Sequence, residues 1–196
     1  INIKEIRGKK ISMIFQEPMT SLNPVYTCGK QVVEGIDKHL KLSIREAREK
    51  TLFLFEKVRL KNAFDIFSKY PHELSGGQKQ RVMIAIAIAC EPDILIADEP
   101  TTALDVTVQK EIIDLLFHLK LENNMSLIFI THDLSLVSEI ADNIAVMNNG
   151  EIVEQGTIQN VFENPKSNYT RALLSCRPST TFRYKRLPTV YNFEKE

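Results

Sequence analysis

The sequence lacks the features that would place it in several common classes of protein. No apolar run approaches the roughly 20 residues needed to span a bilayer. Its three cysteines, Cys28, Cys90 and Cys176, are far apart and lack metal-ligand spacing, which indicates a reducing compartment rather than a disulfide framework. Lys plus Arg equals Asp plus Glu at 25 each. Because nucleic-acid-binding proteins usually carry a basic excess, this balance argues against nucleic acid as a partner.

A phosphate-binding loop of the form G-x-x-x-x-G-K-[ST] is also absent. A different glycine pair is present in the run Leu74-Ser75-Gly76-Gly77-Gln78, directly before a long apolar stretch. A serine and two glycines at a helix start let the backbone approach an anion, and the helix dipole and free N–H groups favour negative charge. The run therefore predicts a site of the size of a phosphate group.

The composition is ordinary for a soluble globular protein with a single core. The chain has 196 residues, of which 43% are apolar and 26% charged. It opens at Ile1 rather than Met, and residues 183–196 are charged with little periodicity. We interpret both ends as cuts or tails rather than natural domain boundaries.

Hydrophobic periodicity predicts strands alternating with helices, interrupted by one helical block. The block runs from about Tyr26 to Phe67 and contains a capping box that begins at Ser43. Ser75 is predicted to cap a deeply buried helix that ends at about Cys90. The other predicted strands are Lys10–Gln16, Ile94–Ala97 and Ser126–Ile130. One further helix is predicted from about Val106 to Leu121, and a short one ends at Ile140. A hairpin with strands at Ile144–Met147 and Glu151–Gln155 follows. This pattern predicts an α/β fold with a mainly parallel sheet and a separate all-helical lobe.

Polar side chains follow three of the predicted strands at the point where each strand ends. Gln16 closes the first strand, Asp98-Glu99 follow the second, and Thr131-His132 follow the third. Ligands of open α/β sheets bind at the carboxyl ends of the strands, so parallel strands would bring these groups to one edge. The carboxylate pair suits a magnesium ion and an attacking water.

Five motifs together resemble those of the ATP-binding cassette (ABC) ATPases. I-F-Q-E-P, L-S-G-G-Q, I-L-I-A-D-E-P, A-L-D and T-H-D occur in this order and are similar to the Q-loop, signature motif, Walker B strand, D-loop and switch histidine. The resemblance covers residues 7 to about 174. The runs M-T-S-L-N-P, P-T-T-A-L-D-V-T-V-Q and N-P-K-S-N-Y-T-R-A-L-L resemble the oligopeptide and dipeptide importer branch.

The resemblance implies catalytic roles at the strand ends. Asp98 would hold Mg²⁺ through water, and Glu99 would orient or deprotonate the attacking water. Gln16 would approach the metal and the water, and would relay the state of the site to the helical lobe. His132 would hydrogen-bond the γ-phosphate of ATP.

The resemblance also implies a composite site shared by two cassettes. Ser75, Gly76, Gly77 and Gln78 would bind the γ-phosphate of a nucleotide held by the other cassette, because two cassettes of this family meet head to tail. Asp105 would lie at the same interface. Capping of the following helix is an equally good interpretation of Asp105 and is compatible with that role.

The implied fold is a P-loop NTPase-like ABC ATPase core with an inserted helical subdomain. We expect a partial ABC domain at 1–174, with the helical subdomain at about 25–90, and a tail or linker at 175–196. The family places its P-loop and an adenine-stacking aromatic upstream of the Q-loop. We therefore expect the chain alone to bind ATP poorly, to expose apolar sheet edges and to be marginally stable.

The function implied is that of the ATP-hydrolysing subunit of an importer of peptides or similar small solutes, at the cytoplasmic face of a bacterial membrane. The resemblance implies three partners. They are a second cassette (identical, different or fused to this one), transmembrane permease subunits and, indirectly, a solute-binding protein. One alternative is a non-transport ABC ATPase of DNA repair, chromosome organisation or translation, although the sequence lacks the coiled-coil insertions, zinc-binding Cys pairs and basic linkers typical of those proteins. Another is a truncated cassette without its own ATPase activity.

Overall fold

Three parallel strands form the sheet of the first of two units into which the chain divides. In a computed structural model, which describes residues 3–16, 21–102 and 104–176, these units are residues 1–130 and 131–196. The strands are β1 (Ile11–Ile14), β2 (Ile94–Asp98) and β3 (Ser126–Ile130), in the order β1-β2-β3. All pairs are parallel, with Ile14 beside Ala97 and Asp98 beside Ile130. The predicted parallel sheet is confirmed.

The strand β1 is shorter than the predicted strand Lys10–Gln16. Its pairing with β2 ends at Ile14, and Phe15 leaves the sheet with 56% of its surface exposed. Gln16 consequently lies beyond the strand and uses its side chain, rather than its backbone, to contact the neighbouring strand end. The outer strand β3 exposes Ile128 by 50% and Ile130 by 45%, in agreement with the expected apolar edge.

The helical block consists of three helices that pack on one another. After the short helix α1 (Ile3–Ile6), which precedes β1, these are α2 (Cys28–Leu40), α3 (Ile44–Lys57) and α4 (Ala63–Ser68). Lys41 interrupts the block with a left-handed backbone at φ 49°. The predicted capping box is present, since the Ser43 and Glu46 side chains each accept a hydrogen bond from the other residue's backbone N–H.

Two further helices follow this lobe in the chain. Helix α5 (Gly76–Ile88) follows a 3₁₀ turn at Pro71–Glu73, and it packs against α2, α3, β1 and helix α6 (Val106–Glu122). As predicted, α5 is buried on nearly all sides. Periodicity predicts five inward residues in α6, and four of them are fully buried: Ile112, Leu115, Leu116 and Leu119. The fifth, Val108, is half-buried near the start of the helix.

The second unit is built on an antiparallel hairpin. Its elements are α7 (Leu134–Ile140), β4 (Asn143–Asn148), β5 (Glu151–Thr157), α8 (Ile158–Glu163) and α9 (Asn168–Ser175), with α8 and α9 packed on β5. Asn149 and Gly150 have φ of 49° and 83°. Positive φ at both central residues is typical of the tight turn predicted from Asn148-Asn149-Gly150.

Several predictions concern residues outside the described ranges. The first residues of the run M-T-S-L-N-P and the tail from 177 onward fall there, so their structure is not described. The domain boundaries at 1–174 and about 25–90 stay a prediction. Within the described residues, no helix combines the length and the apolar character needed to cross a bilayer.

Candidate functional site

The carboxyl end of β2 holds Glu99 in an unusual backbone conformation. Its φ is 42°, in the left-handed region that residues other than glycine rarely adopt. Its N–H donates to the Ile130 carbonyl at the end of β3, at 2.9 Å. Such conformations cost about 1–3 kcal/mol and persist where surrounding contacts hold them, often at functional sites. The strand β2 therefore ends at Asp98, and Glu99 begins a turn.

The Glu99 carboxylate receives two hydrogen bonds on the same oxygen. Gln16 Nε2 donates to Glu99 Oε2 at 3.0 Å, and Thr102 Oγ1 donates to that oxygen at 2.9 Å. The first bond joins residues that are 83 positions apart in the chain. Hydrogen bonds to an ionised group are stronger than neutral ones, so this pair fixes the orientation of the carboxylate. The predicted proximity of Gln16 and Glu99 is therefore present in the structure.

Thr102 is a site residue that sequence reasoning missed. It closes a turn with Glu99, because its backbone N–H donates to the Glu99 carbonyl at 3.1 Å. The turn is held in place by Gln109 of α6, whose Nε2 donates to the Thr101 carbonyl at 3.1 Å. The only sequence signal was the position of a hydroxyl three residues after the carboxylate.

Asp98 ends β2 beside Glu99 and is half-buried. Its carboxylate offers the oxygen ligands that Mg²⁺ prefers. The amide of Gln16 bonds to the neighbouring residue Glu99 and therefore belongs to the same strand end. In the Gln16–Glu99 bond the amide nitrogen is the donor, so the amide oxygen of Gln16 points elsewhere and is chemically suited to a cation. Among the described residues, no group of three or more His, Cys, Asp and Glu side chains could hold a metal ion. A magnesium ion here would therefore complete its coordination with water and phosphate oxygens, as this ion usually does.

The turn Ser75–Gln78, which we call the signature turn, opens helix α5 with a capping box. Ser75 Oγ accepts from the Gln78 N–H at 3.3 Å, and Gln78 Oε1 accepts from the Ser75 N–H at 3.0 Å. The serine hydroxyl is an acceptor in this box, so its own hydrogen can be donated to an anion. Ser75 and Gly76 are exposed. The first N–H groups of a helix have no partner within the helix, so this end of α5 is chemically suited to an anion. Binding of a phosphate group there stays a prediction.

Asp105 caps helix α6, which confirms the capping interpretation of this residue. Its Oδ1 accepts from the Val108 N–H at 3.0 Å, and the side chain is exposed. Only one carboxylate oxygen takes part in this bond. A further contact of Asp105 at an interface remains compatible with the cap and stays a prediction.

His132 lies two residues after Ile130, is exposed, and belongs to the second unit. Of the predicted site residues, Gln16 and Glu99 are in contact in the structure. The end of β3 lies beside Glu99, because the Glu99 N–H donates to the Ile130 carbonyl. The contact of His132 with a phosphate remains a prediction.

The sequence profile of one protein family matches more than half of the chain. The family is described as ABC transporter, and the match covers residues 2–102. The chain belongs to the ABC transporter family. This finding confirms the resemblance drawn from the five motifs.

Two similar proteins carry the names of ATP-binding proteins of import systems. Over 176 residues the chain is 52% identical to the glutathione import ATP-binding protein GsiA of Escherichia coli (strain K12). This alignment covers 90% of this chain and 28% of that protein. Over 188 residues it is 52% identical to a Brucella abortus (strain 2308) protein that carries the name "Putative peptide import ATP-binding protein", covering 96% of this chain and 57% of the other. The chain therefore spans between about a quarter and three fifths of the length of these relatives.

Solved structures of ABC cassettes share the fold. The ATP-binding cassette MJ0796, in a dimeric post-hydrolysis state bound to ADP and Pi, is 32% identical with a TM-score of 0.69, covering 80% of this chain and 66% of that one. The cassette cbiO1 from Clostridium perfringens, part of the ABC transporter complex cbiONQ, is 33% identical with a TM-score of 0.69, covering 80% and 60%. The predicted ABC ATPase fold is confirmed.

Proposed function

We propose that this chain is part of the ATP-hydrolysing subunit of an ABC importer that takes up peptides or similar small solutes. The observation that carries the proposal is the hydrogen bond between Gln16 and Glu99, which ties the Q-loop to the carboxylate at the end of β2. Membership of the ABC transporter family and 52% identity to import ATP-binding proteins support the same conclusion.

Glu99 is the residue that acts on water in this proposal. Its carboxylate follows a buried strand, and two donors on one oxygen hold it in a single orientation. A general base needs a fixed position within hydrogen-bond reach of the water that it deprotonates. Gln16 and Thr102 position the base, and Gln16 connects it to the segment that leads into the helical lobe.

ATP and Mg²⁺ are the ligands that this site would take. Bound magnesium would neutralise charge on the phosphates and help to orient them. Asp98 and the amide oxygen of Gln16 are the groups of this chain that would hold it. His132 would donate to the γ-phosphate, and this role rests on the resemblance of T-H-D to the switch motif.

The signature turn and Asp105 would act on the nucleotide of a second cassette. Ser75, Gly76 and Asp105 are exposed at the starts of α5 and α6, where a partner could reach them. The dimeric state of the MJ0796 cassette supports a cassette pair. Hydrolysis and reopening of that pair would drive transmembrane permease subunits at the cytoplasmic face of a bacterial membrane, with a solute-binding protein delivering the solute.

The Glu99→Gln substitution in the complete protein tests the catalytic assignment. We expect ATP turnover to fall by at least about 100-fold, because the amide is no base, while ATP-dependent pairing of cassettes persists. Turnover would be measured by phosphate release and pairing by gel filtration with ATP. Glu151→Gln, an exposed change at the start of β5, is the matched control. Turnover near the control's value would remove Glu99 from its role.

The substrate class needs a separate measurement. The assembled importer in lipid vesicles should hydrolyse ATP faster when a binding protein and di- or oligopeptides are supplied. Stimulation by DNA or by ribosomes instead would favour the non-transport alternative. A lack of any solute response, with hydrolysis intact, would contradict import while leaving the assignment of Glu99 in place.

A further inference from the structure

The glycines of the signature turn are not required by backbone conformation. Among the described residues, the glycines with positive φ are Gly8 and Gly150, whereas Gly76 and Gly77 begin helix α5. Helical backbone accepts any side chain. The absence of a side chain at these two positions therefore has another cause.

A close contact with helix α6 supplies that cause at Gly77. A Cβ atom built on Gly77 would lie 2.8 Å from Val108 Cγ1, closer than real Cβ contacts come. A Cβ on Gly76 would lie 3.4 Å from Leu104 Cδ2, at the edge of ordinary van der Waals contact. Val108 is a stiff, branched side chain on a helix and cannot move aside without a rotamer change. Gly77 is thus the position where α6 excludes a side chain.

The same two helices are joined by an ion pair one turn further along. Arg81 of α5 is 9% exposed, and its Nη2 donates to Glu111 Oε2 of α6 at 2.7 Å. Its Nη1 donates to the Val58 carbonyl, just after α3, at 3.0 Å. We call the contacts Gly77–Val108 and Arg81–Glu111 the α5–α6 seam. Because residues one turn apart share a helix face, the two contacts lie along one line.

The α5–α6 seam lies next to the N-terminal caps of both helices. These caps are the groups proposed to act on the nucleotide of the second cassette. Ser75 caps α5 two residues before Gly77, and Asp105 caps α6 through the N–H of Val108. A shift of α6 away from Gly77 would therefore move Asp105 relative to Ser75.

We infer that Gly77 is a positioning residue whose missing side chain admits Val108 and so holds the signature turn in register with Asp105. The functional part of this inference rests on the proposed role of the two caps at one partner nucleotide. The competing explanation is that Gly77 is glycine only so that its backbone can approach a phosphate. The two explanations differ in what a smaller residue at position 108 would do.

A compensating pair of substitutions in the complete, assembled protein separates them. Gly77→Ala should lower the Tm by several degrees and raise the KM for ATP about tenfold or more, because the added Cβ pushes α6 and Asp105 away. Val108→Ala removes the obstructing Cγ1, and this single variant is the reference against which the double variant is compared. The double variant should return KM to within about threefold of Val108→Ala. Gly35→Ala, a helical glycine of α2 with nothing within 4 Å of its added Cβ, is the matched control.

The measurements are thermal unfolding without nucleotide, and KM and kcat for ATP. Recovery of both Tm and KM in the double variant supports the inference, since a purely structural defect would lower the amount of active protein and leave KM unchanged. Recovery of Tm without recovery of KM overturns it in favour of close phosphate approach. An unchanged Tm and KM in Gly77→Ala also overturns it. These outcomes are distinct from failure of the proposed function, which Glu99→Gln reports independently.

Discussion

The signature turn and the end of β2 are both polar clusters beside buried apolar elements, but they are built differently. In the signature turn, Ser75 and Gln78 satisfy each other across a single helical turn. At the end of β2, Glu99 is held by Gln16, 83 positions away, and by Thr102. The first cluster is local and forms wherever its helix forms. The second exists only when the parallel sheet has brought β1 beside β2.

The largest expected effect tests the hydroxyl that completes the second cluster. Thr102→Val removes one of the two donors to Glu99 Oε2. A hydrogen bond to a charged group contributes about 1.5–3 kcal/mol, so kcat for ATP hydrolysis should fall by about tenfold to a hundredfold. KM for ATP should change little, because Thr102 acts through the carboxylate.

Thr102→Ser is the control for this prediction, because it retains the hydroxyl. It should keep kcat within a few-fold of the unsubstituted protein. A Thr102→Val protein with normal kcat would show that the bond to Gln16 suffices to hold the carboxylate. The hydrogen bond from Thr102 would then make no contribution to catalysis at this site.

A pair of serine substitutions tests whether the first cluster is local. Ser75→Ala and Ser43→Ala each break a capping box with the same two bonds from backbone N–H groups, and the Ser43 hydroxyl also donates to Glu46 Oε2 at 2.7 Å. Loss of such a cap costs about 1 kcal/mol, so urea unfolding of both variants should show similar losses. Only Ser75→Ala should also raise KM for ATP, since only this cap faces the proposed nucleotide.

A large difference between the two stability losses would contradict the local character of the caps. It would mean that the tertiary surroundings of α5 change the contribution of the same motif. Equal losses with an unchanged KM in Ser75→Ala would instead separate the serine from nucleotide binding and leave only its capping role.

The smallest expected effect compares a long-range with a local ion pair. Lys50 of α3 bonds Glu91, after α5, at 2.6 Å, whereas Arg45 and Glu49 form a pair within α3 at 2.9 Å. The hydrogen bond and charge of Lys50 hold the pKa of the Glu91 carboxyl below its ordinary value of 4.5. A carboxyl with a lowered folded pKa stabilises the protein above its unfolded pKa, and the contribution disappears as the pH falls through the folded pKa.

Glu91→Gln should therefore cost about 0.2–1 kcal/mol near pH 7. The loss should shrink as the pH falls through the lowered folded pKa of Glu91, as measured by urea unfolding near pH 7 and at a pH below that pKa. Glu49→Gln, which removes the partner of Arg45 within α3, is the local counterpart, and its loss should be small because solvent and salt screen this exposed pair. An equal loss for Glu91→Gln at both pH values would show that packing rather than the ion pair is responsible.

Much of the local structure was predictable because its causes lie within a few residues. The cap of α6 at Asp105, the boxes at Ser43 and Ser75, and the turn at Asn149-Gly150 each depend on side chains or backbone within one turn. Hydrophobic periodicity was sufficient to predict β3 at Ser126–Ile130. These features agree with the structure because nothing distant competes with them.

The contacts that define the candidate site were less predictable. The end of β1 at Ile14, the donor at Thr102 and the ion pair of Arg81 with Glu111 have no sequence pattern of their own. Each depends on where a second element happens to lie, and that position is set by packing of the whole unit. The convergence of Gln16 and Glu99 was predictable only because parallel strands direct their carboxyl ends to one edge.

The sequence by itself determined the helix starts, the order of strands and helices, and the motifs that identify an ABC family member. The tertiary structure alone decided which hydroxyl orients Glu99 and why Gly77 has no side chain. The physical reason is the range of the interactions. Capping bonds and periodicity act between residues that the chain already holds close, whereas the bond to Gln16 and the contact with Val108 exist only after the core has packed β1 beside β2 and α6 against α5.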